Sequence, residues 1–552
     1  MRKDGKQIAN YSNVHGDVCV VGSGASGITI ARELALAGIN VVLIEAGGEK
    51  QRPEQIDLYR GTSKSPNHGP LHLNRQRRLG GTTVVWGGRS APYEAIDLER
   101  RLYIPNSGWP ISHSDLHDAY VKAHDYLDLG LFSYSAAQSF PPGAQFPFEC
   151  CRDVTVDNIW RFSLPTNLWR KYGDALSSHP NVDVIYNGSC TEVVTTSDGS
   201  LVDHIRVMSS PDHQFTVRAK TFVLATGGLE VTRLLLTSTS VHKSGIGNTR
   251  GLLGRFYLSH LTGNAGTIAF SDSLAKYFWS YIRSEGVYCK RLIRLTHDVQ
   301  RLNGLLNLAV TATHMDFHDP SHRSGVLSLV YLAKTYLKAR IPPEFSRELS
   351  ATKYQYVLRH VTNVLCSPLE IVKFADMWTR KRLLASRKLP SVELCNDRGV
   401  YTLHFDAEQS PNFDSRVGLS DERDKFGKRR LMVDWRMNRT DAESVSRSLD
   451  LIARDLEGAH VAKLNVKPDL ASDVYAHNGV GSHHIGTTRM GASPSVGVVD
   501  PECRVFGIPN LYIASSSVFP TSSYVNPTLQ IVAIAIRIAT HIAASSGSSK
   551  PN

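Results

Sequence analysis

The stretch Asp17 to Glu45, DVCVVGSGASGITIARELALAGINVVLIE, constrains the fold more than any other part of the chain. A short apolar run stops at Gly22, glycines recur at positions 24 and 27, a run with helical periodicity follows, and a second apolar run ends on Glu45. That order predicts a strand, a tight turn, a helix and a parallel strand, the opening unit of a dinucleotide-binding sheet. Gly22 permits the turn, Gly24 lets the backbone approach a pyrophosphate, and Gly27 lets the helix lie close to the strand. Ala25 and Ser26 open the helix, whose unpaired N–H groups and positive dipole end suit a phosphate. Glu45, eighteen residues after Gly27 and followed by Ala46, has the spacing of an acid that hydrogen-bonds a ribose hydroxyl, which disfavours a ribose 2′-phosphate. NAD and FAD both satisfy this unit.

A second glycine cluster, RLGGTTVVWGGRSAP (78–92), carries Gly80, Gly81, Thr82, Thr83, Trp86, Gly87 and Gly88. Glycine pairs let a backbone run against a flat ligand and present N–H donors, as the N5 and pyrimidine edges of a flavin require, although a purely structural loop uses the same composition. Farther along, VDVIYNGSCTEVVTT (182–196, including Val193) reads as strand. KTFVLATGGLEVTRLLLTST (220–239) reads as strand, a turn at Ala225, Thr226 and Gly227, then helix. NLYIASSSVFPT (510–521) adds a strand and a loop through Ser515 and Ser516, and a last helix begins near Asn526, Pro527 and Thr528. The expected fold is α/β, with a discontinuous Rossmann-like nucleotide domain assembled from 13–95, 183–262 and 478–545. The expected substrate-binding or cap region, a sheet with helices, takes 96–182 and 263–477.

Composition narrows the function classes. With 41% hydrophobic and 20% charged residues, 552 residues suffice for two or more globular domains. The net charge of +11 is spread rather than clustered, without basic tracts interleaved with aromatics, so nucleic-acid binding is not expected. Eight cysteines at 19, 150, 151, 190, 289, 366, 395 and 503 lack CxxC spacing, which suits reduced thiols and a cytoplasmic setting; only Cys150 and Cys151 are adjacent, and they read as ordinary core or surface residues. The greasy run LQIVAIAIRIATHI (529–542) is shorter than the roughly 20 residues a membrane span needs and contains Arg537, so no span is expected. The N-terminus has no apolar segment of the secretory kind.

Residues 482–491 read SHHIGTTRMG. In an extended segment neighbouring side chains face opposite ways, so one of His483 and His484 faces a site and the other packs behind it. No Cys or carboxylate stands at ligand spacing, so no metal is expected.

Taken in order, VVGSGASG with Glu45, LGGTT..WGG, ATGGLEVTRLLL and HHIGTTRMG through VVDPECRVFGIPNLYIASSSVFPTSSYVNPTLQIVAIAIRIA resemble the glucose-methanol-choline (GMC) family of FAD-dependent oxidoreductases. Residues 263–400 match nothing specific in it. The resemblance implies FAD, a catalytic His483 three residues before Gly486, and a partner at Asn526. It points to the His/Asn branch, which includes enzymes resembling pyranose oxidase and choline oxidase. Members that tether FAD do so through a histidine where this chain has Val85, so non-covalent FAD is expected. Ser515 stands where relatives often carry Asp or Gly, and it still offers a hydroxyl.

The implied reaction is oxidation of an alcohol CH–OH to aldehyde or ketone, with hydride passing to flavin N5 and the hydroxyl proton to His483, a role a neutral imidazole can fill. The expected substrate is a sugar or glycoside; alternatives are a secondary-metabolite or terpenoid alcohol, NAD-dependent dehydrogenation on the same fold, or a flavoprotein without activity. The electron acceptor is oxygen or a quinone-like molecule. His260 has no assigned role, Gln409 is a candidate substrate contact, and Arg489 anchors the turn after Thr488.

Overall fold

The computed structural model describes residues 1–146, 151–271, 274–336, 354–394, 399–479 and 483–547. Its first unit is the one the glycines require. Strand β1 is Arg2–Asp4, β2 is Asn13–Val21, helix α1 is Ala25–Leu36 and β3 is Val41–Ile44. Val18 to Val21 lie parallel to Val41 to Ile44, one residue opposite one. Gly22 has φ +105, and a Cβ there would stand 2.5 Å from the Ala225 carbonyl oxygen. On Gly27 a Cβ would lie 1.7 Å from the Gly22 carbonyl oxygen, so the helix approaches the strand as closely as backbone allows.

Four more strands widen this sheet: β4 Val182–Tyr186, β5 Ser189–Thr195, β6 Val202–Ser210 and β7 His213–Leu224. The order is β1-β4-β3-β2-β7-β6-β5. Strands β1 to β4, β7 and the Ile508–Ile513 strand pair in parallel, whereas β5, β6 and β7 form an antiparallel meander. All four residues of β3 are buried, as expected of a parallel strand covered on both faces. The turn after β7 delivers Ala225 to Gly227 to the same edge as Gly22, and helix α2, Gly228–Thr237, leads away from it.

A second sheet is wholly antiparallel. It joins β8 Leu261–Phe270, β9 Leu308–Thr313, β10 Val400–Ala407 and β11 Ala462–Val466 in the order β9-β10-β8-β11. Leu261 faces Ala407 and Thr262 faces Asp406 across the central pair. Helix α3, Arg439–Gly458, opens with Asn438 and Asp441 capping each other and packs its apolar stripe, including Leu449 and Ile452, into the core shared with Ile268, Leu403 and Phe405. The stretch 263–400, without recognisable motif, therefore contributes β9 and most of β8, and the chain after it adds β10 and β11.

The last helix, α4 Thr528–Gly547, is longer than the apolar run suggests because Thr528 and the Ser-rich end extend it to 20 residues. Over Thr528–Ser546 its mean hydropathy of 1.5 would suit a membrane span. Here it packs against α1 and the His117–Leu127 helix, with Leu529, Val532, Ala533 and Ala535 fully buried. Cys19, Cys151, Cys190, Cys289, Cys366 and Cys503 are free thiols. Cys150, Cys395 and Ser482, like residues 337–353 of the unmatched stretch, lie outside the described residues.

The two crowded glycines give a direct test of this packing. Gly27→Val is expected to cost about 3 kcal/mol or more, because no flexible group can yield to the new methyl groups. Gly24→Ala, where a Cβ meets no atom within 4 Å, is expected to fall within about 0.5 kcal/mol of the parent. Urea midpoints of the two variants measure the contrast.

Candidate functional site

The carboxyl ends of β2, β3 and β7 open onto a cavity of about 850 Å³, a size suited to an extended ligand. Its wall includes Gly22, Gly24, Ala25, Ser26, Glu45 and Ala46 from the first unit, and Gly81, Thr82, Thr83, Trp86, Gly87 and Gly88 from the second glycine cluster. Ala225, Thr226, Gly227, Ser515, Ser516, Asn526, Pro527, Thr528 and His483 complete the predicted set that lines it. Three predicted residues do not. Gly27 is spent on packing against Gly22, and Gly80 turns with φ +88 against Trp169. Val193 points into the core, 1% exposed, so the wall beside β5 is made instead by Gly188, Ser189, Cys190 and Thr191.

The end of the cavity at Glu45 has the properties of a nucleotide cradle. One Glu45 oxygen accepts hydrogen bonds from Ser23 N (2.9 Å) and Ser23 Oγ (2.8 Å), and the other accepts from Gly47 N (2.9 Å). Burial raises the Glu45 pKa and these bonds oppose the rise. Gly24, Gly87 and Gly227 each have open space where a Cβ would stand, so three stretches of bare backbone face the cavity. The buried Thr226 Oγ1 has no hydrogen-bond partner among the described residues. Trp86 is fixed by its indole N–H, which donates to the Thr166 carbonyl at 2.8 Å. A flat dinucleotide such as FAD fits this donor set. Val85, at the cavity edge, offers no nucleophile for a covalent tether.

At the other end, two backbone hydrogen bonds join Leu258 and Ile485 as an antiparallel bridge: Leu258 N to Ile485 O at 3.0 Å and Ile485 N to Leu258 O at 3.1 Å. Two residues outward on each strand the side chains meet on one face, which brings His260 against His483, ring centroids 4.7 Å apart. Gly486 follows with φ +90, where a Cβ would stand 2.2 Å from the Phe256 carbonyl oxygen. His484 has other partners: its Nδ1 lies 2.6 Å from the Tyr257 hydroxyl, which in turn lies 2.9 Å from His68 Nε2. Ser516 Oγ donates to the His484 carbonyl at 2.7 Å, and Ser515 Oγ lies 2.6 Å from Ser517 Oγ, so both predicted serine hydroxyls also brace this loop.

Desolvation, aided by the Arg89 cation and opposed by Asp406, pushes the His483 pKa down to about 4. Burial and the neighbouring His483 also lower the His260 pKa well below the usual imidazole range, opposed by Asp406 and the Ser522 backbone, and neither of its ring nitrogens makes a hydrogen bond of good geometry among the described residues. Both imidazoles are therefore neutral near pH 7.

Asn526 shares the cavity wall with His483 and is bound to a residue that the sequence reading passed over. Arg89, directly after the Gly87-Gly88 pair, donates to Asn526 Oδ1 through Nε (3.1 Å) and Nη2 (2.7 Å). It also donates to both Asp406 carboxylate oxygens, at 3.0 and 2.9 Å, and lies 4.1 Å from the centre of the Trp160 ring. Burial works to raise the Asp406 pKa, and Arg89, with His404 and His260, lowers it on balance. Gln409 does not line the cavity: its carboxamide is used by Ser259 N (2.9 Å), Trp435 Nε1 (3.0 Å) and the Arg436 carbonyl (2.8 Å). It braces the residue before His260 and is corrected here from a substrate contact to a support. Arg489 donates to the Asn106 carbonyl at 2.8 Å and stacks on Phe256, anchoring its turn. Among the described residues no three His, Cys, Asp or Glu side chains converge as a metal site.

Comparison with known proteins bears on the family and the fold. Residues 411–535 match the family described as GMC oxidoreductase. The chain is 24% identical to the 6'''-hydroxyparomomycin C oxidase of Streptomyces lividus, across 96% of this chain and 92% of that protein. It is 22% identical to the 2-methyl-1,2-propanediol dehydrogenase of Mycolicibacterium austroafricanum, across 95% of each chain. An FAD-dependent oxidoreductase from Chaetomium thermophilum has the same fold, with a TM-score of 0.54 and 14% identity over 96% of this chain and 100% of that one.

The bare backbone at Gly87 predicts a separable loss. Gly87→Leu projects into open space, so the thermal midpoint of the ligand-free protein is expected to stay within about 2 °C of the parent. Absorbance of the purified protein between 350 and 500 nm, roughly the range of bound oxidised flavin, is expected to fall at least about tenfold.

Proposed function

We propose that this chain, a GMC-type oxidoreductase by its C-terminal match and its fold, removes two hydrogens from a CH–OH group of a polyhydroxylated alcohol, a sugar or glycoside foremost. Non-covalent FAD in the cavity supplies the two-electron acceptor. Every other element of the reaction is a property of the protein. His483, kept neutral by its surroundings, accepts the hydroxyl proton. Asn526 donates a hydrogen bond to the same oxygen and so fixes which hydrogen faces the cofactor. The wall beside them is polar and includes His260, Thr262 and His404, which supports a substrate with further hydroxyls. Thr262 lies on β8, His260 directly precedes it and His404 lies on β10, which supports a substrate side at the second sheet.

The observation that carries the reading is the Leu258–Ile485 bridge, because it turns His483 into the cavity that Asn526 also lines. The relatives named above, one an aminoglycoside oxidase and one a diol dehydrogenase, support a hydroxylated small molecule. A non-sugar diol is the second reading, favoured by the latter. An NAD-dependent dehydrogenase would leave the bare backbone at Gly87 without a ligand.

Anaerobic mixing with aminoglycosides, monosaccharides, glycosides and short diols is expected to bleach flavin absorbance, fastest with a sugar-type substrate. His483→Ala is expected to slow bleaching by about a hundredfold or more while retaining flavin. Because the His483 pKa is depressed, the imidazole is neutral above about pH 4, so the acidic limb of kcat/KM is expected nearer pH 4 than 6.5. A limb at 6.5, or bleaching by the alanine variant at the parent's rate, would overturn the base assignment.

A further inference from the structure

We propose that Arg89, clamped by Asp406, is a positioning residue that locks the Asn526 carboxamide with its oxygen turned away from the substrate, so that Asn526 acts there only as a hydrogen-bond donor. The inference rests on the reaction proposed above and adds to it the direction in which the hydroxyl proton leaves.

An asparagine side chain presents one acceptor end and one donor end, and its neighbours decide which faces a ligand. Here the neighbour is a guanidinium, which has donors only. Two of its N–H groups converge on Asn526 Oδ1 at 3.1 and 2.7 Å, and no described group accepts from Asn526 Nδ2. Reversing the amide would set its N–H groups against those of Arg89 and leave the oxygen without either bond. The orientation is therefore fixed by chemistry, and both lone pairs of Oδ1 are occupied. A substrate O–H cannot donate to Asn526. Its remaining acceptor beside this group is His483, so the proton passes to the imidazole, while the amide N–H strengthens its bond to the oxygen as negative charge develops there.

Arg89 is itself held on three sides. Asp406 takes Nη1 and Nη2 in a fork-to-fork pair at 3.0 and 2.9 Å, and the Trp160 ring covers the guanidinium face. His404 Nε2 stands 3.7 Å from Asp406 on the other side. Asp406 sits opposite Thr262 in the register of β8 and β10, two residues past His260. One sheet edge thus sets both His260 and the clamp. The charged and titratable groups that act on His483 are Arg89 and Asp406, with His260 against its ring and His484 beside it in sequence. Arg89 is the fixed cation among them, and it disfavours the imidazolium.

The test uses the flavin-loaded enzyme at pH 8, where His483 is neutral in every variant, and reads the anaerobic rate of flavin bleaching by the best substrate of the panel. Arg89→Met is expected to lower that rate about tenfold to a hundredfold with flavin content retained. In an Asn526→Ala background the same change is expected to cost less than about twofold, because Arg89 acts through the amide. A structural role would give losses that multiply. Arg89→Lys keeps the charge without the fork, so it is expected to slow bleaching yet leave the acidic limb of kcat/KM in place, whereas Arg89→Met moves that limb to higher pH. If Arg89→Met does not fold, the lysine variant carries the test alone. A parent that bleaches while both Arg89 variants match its rate, or multiplying losses in the double variant, overturns this proposal and leaves the function standing. A parent that no alcohol bleaches overturns both.

Discussion

The two hydrogen bonds between Leu258 and Ile485 tie together segments 227 residues apart, and the His483 end of the cavity depends on them. An antiparallel bridge fixes register as well as proximity, because shifting one strand by a single residue sends every side chain to the other face. The register seen places His483 toward His260 and leaves His484 to Tyr257 and His68. Gly486 makes the bridge feasible. Any side chain there would collide with the Phe256 carbonyl, and the strand would have to leave before Ile485 could pair.

The charged groups in this region are paired with one another, whereas several buried polar atoms at the cavity have no partner among the described residues. Asp406 is almost fully buried, which is costly for a lone carboxylate, and the bidentate Arg89 offsets that cost. Arg89 in turn donates two further N–H groups to Asn526. The ring nitrogens of His260 and the Nε2 of His484 have no such partners among the described residues. Unsatisfied buried polar atoms are rare in folded proteins, and here they adjoin the cavity wall, where a hydroxylated ligand is the natural complement.

The first glycine unit was legible because it is local: turn, helix start and acid all fall within Asp17–Glu45, and short-range backbone sterics dictate their spacing. The glycine loop at 80–88 and the alternation of His483 and His484 were legible for the same reason. Val193 was misplaced because it is turned into the core, while Gly188 and the first residues of β5, Ser189 to Thr191, line the cavity. Gly80 has the residue type of a ligand-facing glycine but spends its positive φ on a turn against Trp169. Arg89, Asp406 and His260 were beyond reach for a different reason. Their meeting depends on strand register between segments hundreds of residues apart, and no local pattern encodes which residue of β8 will oppose which residue of β10. Gln409 shows the converse: a polar residue near the site by sequence, yet consumed by three neighbours that only the fold brings to it.

The Glu45 carboxylate already receives three hydrogen bonds from Ser23 and Gly47. An acid that needed its ligand for solvation would make the polypeptide depend on the prosthetic group to collapse correctly. Internal partners remove that dependence, because the carboxylate is already solvated by Ser23 and Gly47.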